Sequence, residues 1–225
     1  APGPSSPSVI SSVDRVDYSN DTVAAVAKGP LSVAKNAHAA TSNRALVPQI
    51  KLKGVTGTLP EVQGPLTSYT TNYGYWSGGR DGHSDPANRS YVQRMDFDND
   101  TATAIIKGSL NTVRAWHGAG SSTSYGYFAG GIPGSHGVSV VDRIDYANDS
   151  ATTKPRGNLS LAKKWTTAVG NNSYSYIVGG DTGPGGGSLS SIDRIDFAND
   201  SATAAPKGDL SVAKRWLMAT GNQSY

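Results

Sequence analysis

Polar and apolar residues alternate along this chain in bursts of about five or six, each cut short by glycine or by Asn-Asp. One burst is VDRIDY, Val141 to Tyr146. Another is YSYIV, Tyr174 to Val178, closed by Gly179 and Gly180. A period of two predicts short β-strands. In a strand it puts Val141, Arg143 and Asp145 on one face and Asp142, Ile144 and Tyr146 on the other. No segment carries the 3.6-residue apolar period of a helix, so a helical solenoid is excluded.

The bursts recur. Four copies of one pattern overlay: VDRVDYSND from Val13, VQRMDFDND from Val92, VDRIDYAND from Val141 and IDRIDFAND from Ile192. Their starts are 79, 49 and 51 residues apart. After each copy comes a basic residue with glycine (Lys28-Gly29, Lys107-Gly108, Arg156-Gly157, Lys207-Gly208), then Leu31, Leu110, Leu159 or Leu210. Three copies continue into Trp116, Trp165 and Trp216, and Ala37 takes that place in the first. Before three copies lies an aromatic strand ending in a glycine pair, at Gly79, Gly131 and Gly180.

Each unit therefore reads as four strands: the tryptophan segment, the aromatic-glycine segment, the Asp-Arg segment and a short run such as Ala202–Pro206. Between the last two, Asn-Asp-Ser/Thr reads as a tight turn capped by its own side chains. Four strands in about 50 residues is the requirement of a β-propeller blade.

The aromatic strand closing on Gly-Gly, the strand ending near Asp and the basic residue before the next inner strand resemble the kelch repeat. The resemblance covers about 190 of the 225 residues. One departure is the tryptophan, which starts the first strand here and sits in the fourth strand of typical kelch units. The Asp-Arg-Ile-Asp version also resembles repeats of bacteriophage tail-fibre and other virion proteins. The resemblance implies an all-β, kelch-like propeller of four-stranded blades and no single activity.

The units fall at residues 1–36, 37–66 (degenerate), 67–113, 114–163 and 164–214, with 215–225 placed to close onto 8–28. That arithmetic gives about five blades, or a segment of a larger propeller. The degenerate unit rests on the extra residues Arg44–Thr70, with strands expected around Ile50–Lys53 and Val62–Tyr69.

Composition agrees with many short strands. Twenty-seven glycines and a hydrophobic fraction of 36% favour turns over helices. The net charge of +3 comes from basic residues that recur singly with the repeat. A nucleic-acid binder would show a dense basic face, so no nucleic-acid partner is expected. No stretch is long and apolar enough for membrane insertion. The absence of cysteine excludes disulfides, thiolate zinc sites and cysteine nucleophiles. The opening APGPSSPS has no apolar signal core and reads as a loop at a processed or cropped end.

Recurrent charge is expected to be scaffold, because a catalytic constellation is needed only once. Arg15, Arg94, Arg143 and Arg194 are expected to pair with Asp17, Asp96, Asp145 and Asp196, or with carboxylates of neighbouring blades. The Asn-Asp turns at Asn20, Asn99, Asn148 and Asn199 match the glycosylation sequon, yet turn chemistry accounts for them. Of the four histidines, His38 and His117 occupy equivalent places near the inner strand, and His83 and His136 lie in loops. They have no metal-ligand spacing. No cofactor motif occurs, and the sialidase Asp-box, GxSxG, HExxH and phosphate-loop patterns are absent. The Cys–Tyr crosslink of the kelch-type copper oxidase is impossible here.

The units agree in their strands and differ in the loop after the glycine pair. Recognition usually resides in variable loops on a rigid scaffold. Arg80, Asp81, His83, Asp85, His136 and Asp181 are therefore the candidate binding residues. The expected function is a non-catalytic structural or adhesive protein of a virion or extracellular surface. Its expected partners are other virion or surface proteins, copies of itself, or a host glycan or receptor. The alternative is a secreted propeller enzyme acting on carbohydrate, which would need converging acidic residues.

Overall fold

A computed structural model describes residues 11–15, 24–34, 39–42, 72–81 and 88–221. They form an all-β protein of four antiparallel sheets. The strands are β1 (Asp14–Arg15), β2 (Val26–Ala27), β3 (Ala39–Ser42), β4 (Tyr73–Ser77), β5 (Tyr91–Asp96), β6 (Ile105–Ser109) and β7 (Gly118–Ser121). They continue as β8 (Tyr125–Ala129), β9 (Val141–Asp145), β10 (Lys154–Pro155), β11 (Thr167–Gly170), β12 (Tyr174–Val178), β13 (Ile192–Asp196) and β14 (Ala205–Pro206). β1 and β2 pair with each other, and the other twelve form three meanders: β3-β4-β5-β6, β7-β8-β9-β10 and β11-β12-β13-β14. The inner strands β3, β7 and β11 are neighbours in that order.

Each aromatic strand ends because its glycine pair takes left-handed φ, +70° and +95° at Gly130 and Gly131. A Cβ on Gly131 would also lie 2.7 Å from the Ala115 carbonyl oxygen. Only glycine satisfies both demands.

Ala39–Ser42 pairs residue for residue with Gly74–Ser77, so the second sheet draws its inner strand from within 37–66. The extra residues thus lie between the first and second strands of one sheet. The strands expected around Ile50–Lys53 and Val62–Tyr69 lie outside the described residues. Among the described residues, 215–221 make no strand pairing with β1 or β2.

The alternation of Val141 to Tyr146 holds, and both faces are covered. Val141 packs with Tyr127, Leu159, Ile177 and Ile195 toward the fourth sheet, and Ile144 packs with Tyr75, Val92 and Leu110 toward the second. The same layering joins the first sheet to the second through Leu31, Met95 and Ala104. The core is thus a row of inter-sheet layers, each closed by the leucine that follows the basic-glycine pair.

Candidate binding face

The recurrent charges are spent on the joints between sheets. Arg143 on β9 donates to Asp200 beyond β13 at 2.7 Å, Arg94 on β5 to Asp149 at 2.7 Å, and Arg15 on β1 to Asp100 at 2.7 Å. The acceptor is the aspartate of Asn-Asp-Ser/Thr in the next unit. Asp17 lies outside the described residues. The expected pairing with neighbouring units therefore holds for Arg15, Arg94 and Arg143, and same-strand pairing is corrected for Asp96, Asp145 and Asp196. Those three carboxylates cap the 3-10 turns that follow their strands, accepting from Asp98, Ala147 and Ala198 N–H at 2.9–3.0 Å. Turn capping thus falls to the strand-end aspartate, and the Asn-Asp aspartate is freed to reach the preceding sheet.

Each latch aspartate collects further donors. Asp149 lies 3.4 Å from Lys107 Nζ and accepts from the Tyr75 hydroxyl at 3.2 Å; Asp200 lies 3.3 Å from Arg156 and accepts from Tyr127 at 3.0 Å. The tyrosine rings stack on the next unit, Tyr75 on Tyr146 at 4.9 Å and Tyr127 on Phe197 at 4.8 Å. Within each sheet the arginine is pre-aimed by an aromatic ring, with Arg94 over Tyr73 at 4.0 Å and Arg143 over Tyr125 at 3.9 Å.

Burial, and then the carboxylate each one touches, pushes the Tyr75 and Tyr127 phenols well above the ordinary tyrosine value. The fold therefore holds the neutral phenols. Their contribution is complete below the unfolded value of about 10 and is lost as pH rises toward the folded one, because only the unfolded chain ionises there. We expect unfolding free energy to fall above that pH by about 1.4 kcal/mol per pH unit for each phenol. Urea unfolding at a series of alkaline pH values checks this, and Tyr75→Phe with Tyr127→Phe should flatten the decline.

A second recurrent feature lies just before β7 and β11 and at the equivalent place after β14. Trp116, Trp165 and Trp216 all have left-handed φ, at 57°, 55° and 57°. For a bulky residue that conformation costs on the order of 1–3 kcal/mol. Backbone bonds tie the three together, from Trp165 N–H to Trp116 C=O at 2.8 Å and from Trp216 N–H to Trp165 C=O at 3.2 Å. Their rings form a ladder with centroids 6.0 and 5.1 Å apart. Cations flank it: Arg80 lies 5.2 Å from Trp116, Lys164 4.1 Å from Trp165, and Arg215 4.8 Å from Trp216.

Beneath the ladder the inner strands carry small residues, among them Ala40, Gly118, Ala119 and Ala168, and together they enclose a groove of about 420 Å³. That is the size range of a small-ligand site. Trp216, at its end, is 67% exposed.

The sequence-derived loop residues divide around this ladder. Arg80 reaches it directly, and Asp181 reaches it through Arg215, whose Nη1 donates to Asp181 Oδ2 at 2.7 Å. Asp181 is buried and also accepts from Gly183 N–H, so it positions Arg215 and is not a free ligand-binding acid. Asp81 is held by Arg89 in an ion pair that staples its own loop. His136 is exposed in the neighbouring loop, with Nδ1 2.9 Å from Ser135 Oγ. His83 and Asp85 lie outside the described residues. His117 is packed, with Nε2 2.8 Å from Ser77 Oγ and its ring edge-on to Phe128.

Among the described residues no three His, Asp or Glu side chains converge as a metal site requires. No family model and no curated protein matches this chain. Function is therefore read from the site itself.

Proposed function

We propose that the sheets are blades of a kelch-like β-propeller or a segment of one, and that the chain is a non-catalytic adhesive component of a virion or extracellular surface. In this reading it holds a glycan along the tryptophan ladder, with Arg80 and the loop of His136 at the rim. Other surface proteins of the same particle are its assembly partners. The observation that carries the reading is the ladder. Three tryptophans kept in a costly backbone conformation line one groove floored by small residues, and the last of them is 67% exposed. Sugar rings stack on such faces through their apolar C–H sides, and the flanking cations supply directed donors to hydroxyl or carboxylate groups.

Catalysis on the same glycan would require free carboxylates beside the groove. Among the described residues the acid at the rim is Asp181, which is committed to Arg215 and Gly183. The latch aspartates are committed between sheets.

A glycan array probed with the purified chain tests the proposal. Binding is expected, and Trp216→Ala should weaken it at least about tenfold while leaving the thermal midpoint unchanged, because the side chain is exposed. Unchanged binding by this variant would remove the ladder from the site. Release of reducing sugar from a bound glycan would replace the adhesive reading with the enzymatic one.

A further inference from the structure

Three successive joints in this fold are built alike, and the last sheet carries the parts of a fourth. At each built joint an arginine and a second basic residue converge on the latch aspartate of the next unit, and at Asp149 and Asp200 a tyrosine joins them. The glycine after the basic residue donates its N–H to that aspartate's carbonyl, from Gly29 to Asp100 at 2.6 Å, Gly108 to Asp149 at 2.8 Å and Gly157 to Asp200 at 2.9 Å. The backbone returns a bond four residues later, from Ala104 to Pro30, Thr153 to Ser109 and Ala204 to Asn158. A basic residue two before the tryptophan then pairs with the second residue of the next Asp-Arg strand: Arg114 with Asp142 and Lys163 with Asp193, both at 2.9 Å.

The β11–β14 sheet presents the same set on its outer side. Arg194 is aimed by Tyr174 at 4.2 Å as its counterparts are, yet its Nε is buried without a partner. Among the described residues no carboxylate lies within ion-pair distance of Arg194, Lys207 or Lys214. Leu31, Leu110 and Leu159 are buried, whereas their counterpart Leu210 is only half-buried. A Cβ on Gly29, Gly108 or Gly157 would fall within 2.0 Å of the next unit's carbonyl oxygen, but one on Gly208 would meet nothing within 4 Å.

The β1–β2 sheet carries the complementary set. Asp14 occupies the place of Asp142 and Asp193 and is exposed, with no cation paired to it among the described residues. Ala25 stands where Thr153 and Ala204 return their backbone bonds. In the sequence, the first repeat has its own Asn-Asp-Thr.

We infer that the outer edge of the β11–β14 sheet binds the β1–β2 edge of a second copy of this chain, head to tail, with Lys214 on Asp14 and the Asp209 carbonyl receiving Ala25 N–H. The chemistry is charge complementarity between the unpaired cations of one side and Asp14 of the other, in the backbone register used three times inside the chain. Such a heterologous contact builds rings or open filaments.

Sedimentation velocity on the 225-residue chain over a concentration series from about 1 to about 100 μM tests it. Concentration-dependent assembly is expected. Gly208→Ala should weaken assembly at least about tenfold without moving the thermal midpoint of the dilute monomer. Lys214→Asp and Asp14→Lys should each do the same, and the two placed together in one chain should restore assembly by exchanging the charges. A chain that stays monomeric throughout overturns the inference. So does a double variant that is not rescued, or one rescued only in monomer stability, which would mean closure within one chain.

Discussion

Replacing Asp142 by alanine is expected to lower stability by about 3–5 kcal/mol, the typical result of leaving half of a buried ion pair. Asp142 and Arg114 have fully buried side chains, with Arg114 Nη1 2.9 Å from Asp142 Oδ2. Burial pulls the Arg114 guanidinium below its ordinary range, and Asp142 acts against that pull. Without the carboxylate, Arg114 keeps the bond from Nη2 to the Phe128 carbonyl at 3.0 Å. Asn111 N–H loses one acceptor as well, but retains Thr153 Oγ1 at 3.0 Å. In a chain of this size the loss lowers the thermal midpoint by on the order of 10 °C. The double variant Asp142→Leu with Arg114→Met should recover most of it, since apolar groups of similar volume replace a buried pair at little net cost. Calorimetry on the single and double variants checks both results. A double variant as unstable as the single one would show that Arg114 stabilises through its stem and its Phe128 bond, with the ion pair secondary.

The strands were legible because their alternation is strict. VDRIDY carries one apolar residue to each neighbouring layer, and that requirement is written in the residues themselves. The repeat period also gave the four-stranded unit, since three copies agree from glycine pair to tryptophan. Partner choice was less legible. Arg143 has Asp145 two residues away and Asp200 fifty-seven away, and sequence offers no distance between sheets. One signal did point across the joint: every copy has at least two aspartates near the turn, and a single turn needs only one cap. The role of Asp181 was hidden for a similar reason. A lone acid in a variable loop looks free until Arg215, from the following unit, is placed against it. The ladder was half visible. Tryptophan recurs at one position, but its left-handed φ and the stacking of successive rings arise only once the inner strands stand side by side.

Glycine after the basic residue makes a second, sharper test of the joints. Gly157 and Gly208 occupy the same place in consecutive units, and sequence alone would assign them the same tolerance. In the fold they differ. A Cβ on Gly157 would stand 1.8 Å from the Ala202 carbonyl oxygen and 2.9 Å from the Ser201 carbonyl carbon, both backbone atoms of the next sheet. No rotamer change relieves that contact, so the sheets must separate. Separation strains the Gly157 N–H bond to Asp200, the Arg143 latch and the leucine layer at Leu159 together. Gly157→Ala is accordingly expected to cost at least about 3 kcal/mol, the upper part of the range for forced overpacking. Gly208→Ala should leave the isolated monomer within about 0.5 kcal/mol of the parent, as a substitution at an open surface does. Neither glycine has a left-handed φ, so backbone strain does not separate them. Chemical denaturation of dilute protein measures the contrast. Equal losses at the two positions would mean that the outer edge of the last sheet is already covered within one chain, and equal tolerance would mean that the sheets are not held at the close approach described.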